Sequence, residues 1–251
     1  MPRQQVTSVT ETGVNITCFA WRALPSAPMS AATVEFKPWN PGCSAEAASR
    51  KFHETMAHRR SVRNFAPTPV SRATIENCVA AAATAPSGAN KQPWRFVAVS
   101  EPALKRQIRL GAEAEEREFY EHRAPKEWLA DLAPLGTEIE KPFLEEAPWI
   151  IVIFRMVRQD ADAGGRQGKV YYPQESVGIA AGMLITSLHL AGLVTLTHTP
   201  SPMGFLAKIL ERPAHERPYL LLPVGYPAAD CRVPNLVRRP LHEIMVVRES
   251  A

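Results

Sequence analysis

Apolar residues recur with helical spacing over much of the chain, broken by short continuous apolar runs and proline-marked turns. Between Ala45 and His58 they fall four apart (Ala48, Phe52, Met56), which predicts a helix with one apolar stripe. That helix delivers the run His58-Arg59-Arg60-Ser61-Val62-Arg63. Pro67 and Pro69 mark a turn, and Ser71 is a good N-cap for a second helix with Ile75, Cys78, Val79 and Ala82 on one face. Pro86 biases Ala85 away from the α region and ends that helix. The small residues Ala85 to Asn90 then form a loop that brings backbone close to a neighbour, and Phe96–Val99 reads as a short strand. Ser100-Glu101-Pro102 starts a long polar helix running to about His122, with the apolar stripe Leu104, Ile108, Ala112 and Phe119. On it Glu116 and Tyr120 are one turn apart and share a face.

Residues 123–148 set Trp128, Leu129, Leu132 and Leu135 between Pro125, Pro134 and Pro142. A lid over a pocket has this make-up, and so does a surface loop with a short helix. Trp149–Val157, apolar apart from Arg155, predicts a strand buried on both faces. A glycine-containing loop follows over Asp160–Lys169, and Glu175–Ala191 predicts a central buried helix ending at Gly192. Strands are expected at Leu193–Thr197 and Tyr219–Tyr226, a short helix at Gly204–Leu210, and an extended tail including Arg238, Arg239 and Ile244–Val247. The strands are separated by helices, so the pattern predicts a mixed sheet covered on both sides by helices. Residues 1–44 are rich in Thr, Ser, Ala and Pro without a sustained period; they read as a loose arm, or as an over-long start with Met29 the natural one. The expected domain is therefore 45–251.

Composition narrows the function. The chain has 251 residues, 45 % apolar and 22 % charged, as in an ordinary soluble protein. Its formal charge of +4 comes with no long Lys/Arg run, so no nucleic-acid footprint is expected. No apolar run approaches the roughly 20 residues of a membrane span, and no signal peptide is evident. Cys18, Cys43, Cys78 and Cys231 are scattered without metal spacing, which fits a reducing, cytoplasmic setting and no metal site. No GxGxxG follows a strand, so a dinucleotide-binding half is not supported.

Two features carry candidate chemistry. The arginine run presents three guanidinium groups and a hydroxyl, a geometry suited to a phosphate, although basic clusters are more often solvated surface. Glu116 and Lys141, taken singly, read as surface charges.

Four stretches carry a family resemblance: Arg59-Arg60-Ser61-Val62-Arg63, Thr84-Ala85-Pro86-Ser87-Gly88-Ala89, Gly192-Leu193-Val194-Thr195-Leu196-Thr197-His198-Thr199-Pro200 and Leu221-Leu222-Pro223-Val224-Gly225-Tyr226-Pro227. In these the chain resembles the flavin-dependent nitroreductase superfamily and, within it, the iodotyrosine deiodinases. The likeness runs from about Phe52 to Val247, without the membrane anchor of the animal enzymes. It implies an α+β fold, a nitroreductase-like three-layer α-β-α sandwich with a mixed central sheet. It also implies an intertwined homodimer with two FMN sites at the interface. Carried over, Arg59, Arg60, Ser61, Val62 and Arg63 would hold FMN, with Arg238 as a second phosphate contact. Ser87 and Thr197, His198 and Thr199 would line the flavin, and the Thr199 hydroxyl would approach flavin N5.

Glu116, Tyr120 and Lys141 match the residues with which deiodinases grip the amino acid end of the substrate. A carboxylate would pair with the α-ammonium, and a phenol and an ammonium with the α-carboxylate. Each such bond contributes about 1.5–3 kcal/mol once water is excluded. The backbone N–H of Ala89 would bind the substrate phenolate. The implied activity is reductive dehalogenation of a halotyrosine in one-electron steps, with NAD(P)H or a separate reductase as electron source. His198 stands where the animal enzymes have threonine, either as a neutral donor or as a group titrating near neutrality. Competing readings are a broad nitroreductase or quinone reductase acting on other small aromatics, and a non-catalytic FMN-binding protein.

Overall fold

A computed structural model describes residues 33–249. The expected arm lies mostly outside these, as do Met29 and Cys18. Residues 33–44 carry no helix or strand, and from Glu46 onward the chain is a compact unit of its own.

Eight α-helical segments and four strands follow: α1 (Ala45–Ala57), α2 (Arg72–Ala83), β1 (Trp94–Val99), α3 (Pro102–Glu118), α4 (Lys126–Leu132), α5 (Phe143–Glu146), β2 (Trp149–Met156), α6 (Pro173–Leu190), β3 (Val194–Thr195), α7 (Gly204–Ile209), β4 (Glu216–Gly225) and α8 (Leu241–Ile244). The end signals act as read. The Ser71 side chain accepts from Thr74 N at 3.1 Å, capping α2. The Glu101 carboxylate accepts from Ala103 N and Leu104 N at 3.0 and 2.8 Å, capping α3. α3 continues into a π-helical turn, Phe119–Arg123, which widens the last turn of the long helix. Gly192 takes a φ of +76° just past α6.

The sheet order is β1-β2-β4-β3, and each paired ladder is antiparallel. The expected mixed sheet is thus antiparallel in its ladders, with one parallel bridge, Ser61 to Thr195. β4 starts three residues before the expected strand because Glu216 pairs with Met156 of β2, its carboxylate held by Arg95 at 3.0 Å and Arg212 at 2.7 Å. β3 stops at Thr195, short of the expected Thr197; the chain rejoins β4 only at the His198–Leu221 bridge. The tail contains one helical turn, α8, where extended chain was expected.

Alternation along β2 sends side chains to both faces, and both are buried as predicted. Ile151 and Ile153 join Leu222 and Val224 beneath α2 and α6. Ile150, Val152 and Phe154 join Leu221 beneath α3, α5 and α7. The result is an α+β, three-layer sandwich. By contrast α1 contains no buried residue; Phe52 on its stripe is exposed, as are Leu236, Leu241, Ile244 and Val246 of the tail. Among the described residues no helix is long and apolar enough to cross a membrane.

Candidate active site

The arginine run lies beside β3 as an extra, strand-like segment. Val62 N donates to Thr195 O at 3.2 Å, and Ala66 N donates to Tyr226 O at 2.9 Å. Alternation then sends Val62 into the core, 4 % exposed, and turns Ser61 and Arg63 the other way. There they border a cavity of about 930 Å³, which is also lined by Glu116, Tyr120, Lys141, Thr197, His198 and Thr199.

One wall is electrostatically finished within the chain. The Lys141 ammonium sits 3.2 Å from a Glu116 carboxylate oxygen, with side chains only 5 % and 15 % exposed. Lys141 also stands 5.9 Å above the Tyr120 ring, whose hydroxyl lies 2.8 Å from Thr137 Oγ1. The segment expected as a lid or as a surface loop with a short helix forms α4 and a 3-10 turn, Ala133–Leu135; Trp128 meets Phe119 edge to face at 4.8 Å.

The opposite wall is not finished. Arg63 makes no hydrogen bond or ion pair among the described residues, and burial holds its guanidinium below its ordinary pKa despite the opposing influence of Tyr120. His198 is 7 % exposed and lies edge-on to Phe143 at 5.9 Å. Its Nε2 is buried without a hydrogen-bond partner among the described residues. Burial first, then the positive charges of Lys141 and Arg63, push its pKa down to about 3. Of the two behaviours open to this histidine, burial favours the neutral form.

Several expected site residues lie off the cavity in the single chain. Arg60 donates to Pro234 O, and Arg238 donates to Ala57 O at 3.1 Å and Arg59 O at 2.7 Å, so both guanidinium groups hold backbone carbonyls. Arg59, Ser87 and Ala89 do not line the cavity either. The loop of Ser87 and Ala89 is nevertheless built under constraint. Ala89, Asn90 and Gln92 take φ values of 50°, 52° and 46°, each costing about 1–2 kcal/mol without glycine. Ser87 Oγ accepts from Gln92 N at 2.9 Å, and a Cβ on Gly88 would fall 2.7 Å from the Tyr171 carbonyl oxygen. Sequence reasoning missed Phe143, Met203, Arg232 and Pro234 in the lining, and Glu113 behind it.

A model of the nitroreductase family matches residues 56–226, more than half of the chain. The chain belongs to the nitroreductase family. Within that family it is similar to the iodotyrosine deiodinase of Haliscomenobacter hydrossis, 55 % identical over 79 % of this chain and 89 % of that one. The Mus musculus iodotyrosine deiodinase 1 is 46 % identical over 79 % of this chain and 70 % of its own length. Among solved structures, oxidized iodotyrosine deiodinase bound to FMN and 3-iodo-L-tyrosine superposes with a TM-score of 0.66 at 31 % identity. It covers 80 % of this chain and 99 % of that one.

Proposed function

We propose that residues 45–251 form an FMN-dependent reductive dehalogenase of halogenated tyrosine, converting 3-iodotyrosine to tyrosine and iodide. The buried Glu116–Lys141 pair in the cavity wall carries this reading. An ion pair this dry is costly to separate. A zwitterionic amino acid is a ligand that replaces both halves at once: its ammonium takes Glu116, and its carboxylate takes Lys141 and the Tyr120 hydroxyl. A simple nitroaromatic offers neither charge. The similarity to deiodinases, one of them solved with FMN and 3-iodo-L-tyrosine, supports the same conclusion.

The cavity fits a flavin phosphate and ring. Arg63 is a half-buried cation without a counter-ion among the described residues, and beside it Ser61, Thr197 and Thr199 present neutral hydroxyls. We assign Arg63, Arg59, Arg60 and Arg238 to the phosphate side, and Ser61, Ser87, Thr197, His198 and Thr199 to the ring, with the Thr199 hydroxyl toward flavin N5. When bound, FMN supplies the two electrons that, with one proton, replace the carbon–iodine bond by carbon–hydrogen. The chain's own groups orient the substrate and exclude water. Glu116, Lys141 and Tyr120 fix the amino acid end, and the Ala89 N–H holds the phenolate.

The same proposal includes a homodimer. The unburied α1, the exposed apolar tail and the absence of Ser87 and Ala89 from the single-chain cavity all favour a second copy completing the site. The setting is cytoplasmic, consistent with the free thiols of Cys43, Cys78 and Cys231, and NAD(P)H or a separate reductase supplies electrons. An anaerobic mixture of the reduced, FMN-loaded protein and 3-iodotyrosine tests this. One iodide per flavin is expected; reduction of nitroaromatics with no iodide release would overturn it.

A further inference from the structure

One face of α3 carries a run of polar side chains at helical spacing, Lys105, Arg109, Glu113 and Glu116, continued by Tyr120 in the π-helical turn. All five engage residues 137–147. Lys105 Nζ donates to Glu145 O and Ala147 O at 2.8 Å each, and Arg109 Nη1 reaches Glu145 Oε1 at 3.2 Å. Glu113 Oε1 accepts from Arg109 Nε and from the backbone N–H of Lys141, both at 2.6 Å. Glu116 and Tyr120 then meet the Lys141 ammonium and Thr137. Lys141 is thus held twice by one helix, by its backbone at Glu113 and by its side chain at Glu116. Its carbonyl in turn accepts from Leu144 N at 3.0 Å, at the start of α5.

We propose that Glu113 is a positioning residue for halotyrosine binding: by fixing the Lys141 backbone it keeps the ammonium in reach of the substrate carboxylate when the substrate ammonium takes Glu116. This rests on the proposed deiodinase function. The logic is geometric. Once substrate enters, Lys141 loses its Glu116 partner, and only its backbone anchor still sets where its side chain starts. Glu113 is suited to this because it stays ionised. Burial pushes its carboxyl up, but the Lys141 N–H and the Arg109 guanidinium outweigh this and leave it below the ordinary carboxylate range.

The test compares FMN-loaded wild type, Glu113→Ala and Glu113→Gln. Glu113→Ala is expected to raise KM for 3-iodotyrosine about tenfold, with kcat and nitroaromatic reduction within twofold of wild type. Glu113→Gln, which keeps a carbonyl for the Lys141 N–H, is expected to recover most of that loss. An unchanged KM in Glu113→Ala, or equal losses for both substrates, would overturn the role. Wild type that turns over nitroaromatics but releases no iodide overturns the deiodinase reading and the inference together. Should the alanine variant not fold, hydrogen exchange at the Lys141 amide decides: slow in wild type and faster in Glu113→Met, which fills the space without an acceptor oxygen, supports the brace, whereas fast exchange in wild type or equal rates in the two overturns it.

Discussion

The α2/α6 face of the sheet and the α3/α5/α7 face bury similar aliphatic side chains, yet they treat polar groups differently. Under α6 the buried Ser176 hydroxyl is spent on Tyr172 O at 2.7 Å, and that of Thr195 on Pro223 O at 2.7 Å. On the other side lie two buried lysines, Lys105 and Lys141, and the neutral His198 with its unpartnered Nε2. The Ser176 and Thr195 hydroxyls are satisfied by nearby backbone carbonyls and carry no charge. The other layer keeps charges indoors and holds them with carbonyls and carboxylates; under the proposed function a charged ligand takes over part of that pairing.

The largest expected effect breaks the packing face alone. Leu184→Ala, at a fully buried position on α6, is expected to cost about 2–5 kcal/mol of stability by denaturant unfolding. Affinity for 3-iodotyrosine in the folded, FMN-loaded protein should not change. Next comes the charged face. Glu116→Gln is expected to weaken 3-iodotyrosine binding about 10–100-fold, roughly 1.4–2.8 kcal/mol, while leaving nitroaromatic reduction largely intact. Equal losses for both substrates would count against the clamp.

The faces should also differ in acid. His198 is held neutral with a pKa of about 3 against an ordinary 6.5. The unfolded chain therefore takes up a proton in a window where the folded one does not. The contribution is fully present above 6.5 and declines as pH falls toward 3, by about 2–3 kcal/mol at pH 4.5. His198→Thr should lose less stability than wild type between pH 7 and 4.5 in thermal unfolding; parallel curves would show that the histidine is not held as described. The smallest effect is expected on the outer side of α2. There Arg72→Ala removes a 2.7 Å pair with Glu76 whose side chains are 81 % and 60 % exposed, and stability should change by less than about 0.5 kcal/mol.

This contrast explains what could be read from the amino acids. The packing face was legible: the 75/78/82 stripe of α2, the run at 149–157 and the α6 block all sit where their periods predict. The charged face was not, because a buried lysine and an exposed one look alike until their partners are known. Lys105, Arg109, Glu113 and Glu116 keep helical spacing, but on an acidic helix that reads as solvated surface. Only the match to deiodinases singled out Glu116, and nothing singled out Glu113, whose partner 28 positions later is a backbone N–H. Glu216 hid the start of β4 for the same reason. Val62 fell in a motif assigned to FMN, yet alternation along β3 turns it inward. The phosphate roles of Arg60 and Arg238 rest on the family resemblance alone; in the single chain their guanidinium groups hold backbone carbonyls.

The most direct measurement is the dissociation constant of the oxidised, FMN-loaded protein for 3-iodotyrosine and for 2-iodophenol, each followed by quenching of flavin fluorescence. The two share the halogenated ring and differ in the charged end that the proposed function assigns to Glu116 and Lys141. The account predicts that 3-iodotyrosine binds at least about 100-fold more tightly, equivalent to about 2.8 kcal/mol. Equal affinity for the two would contradict it.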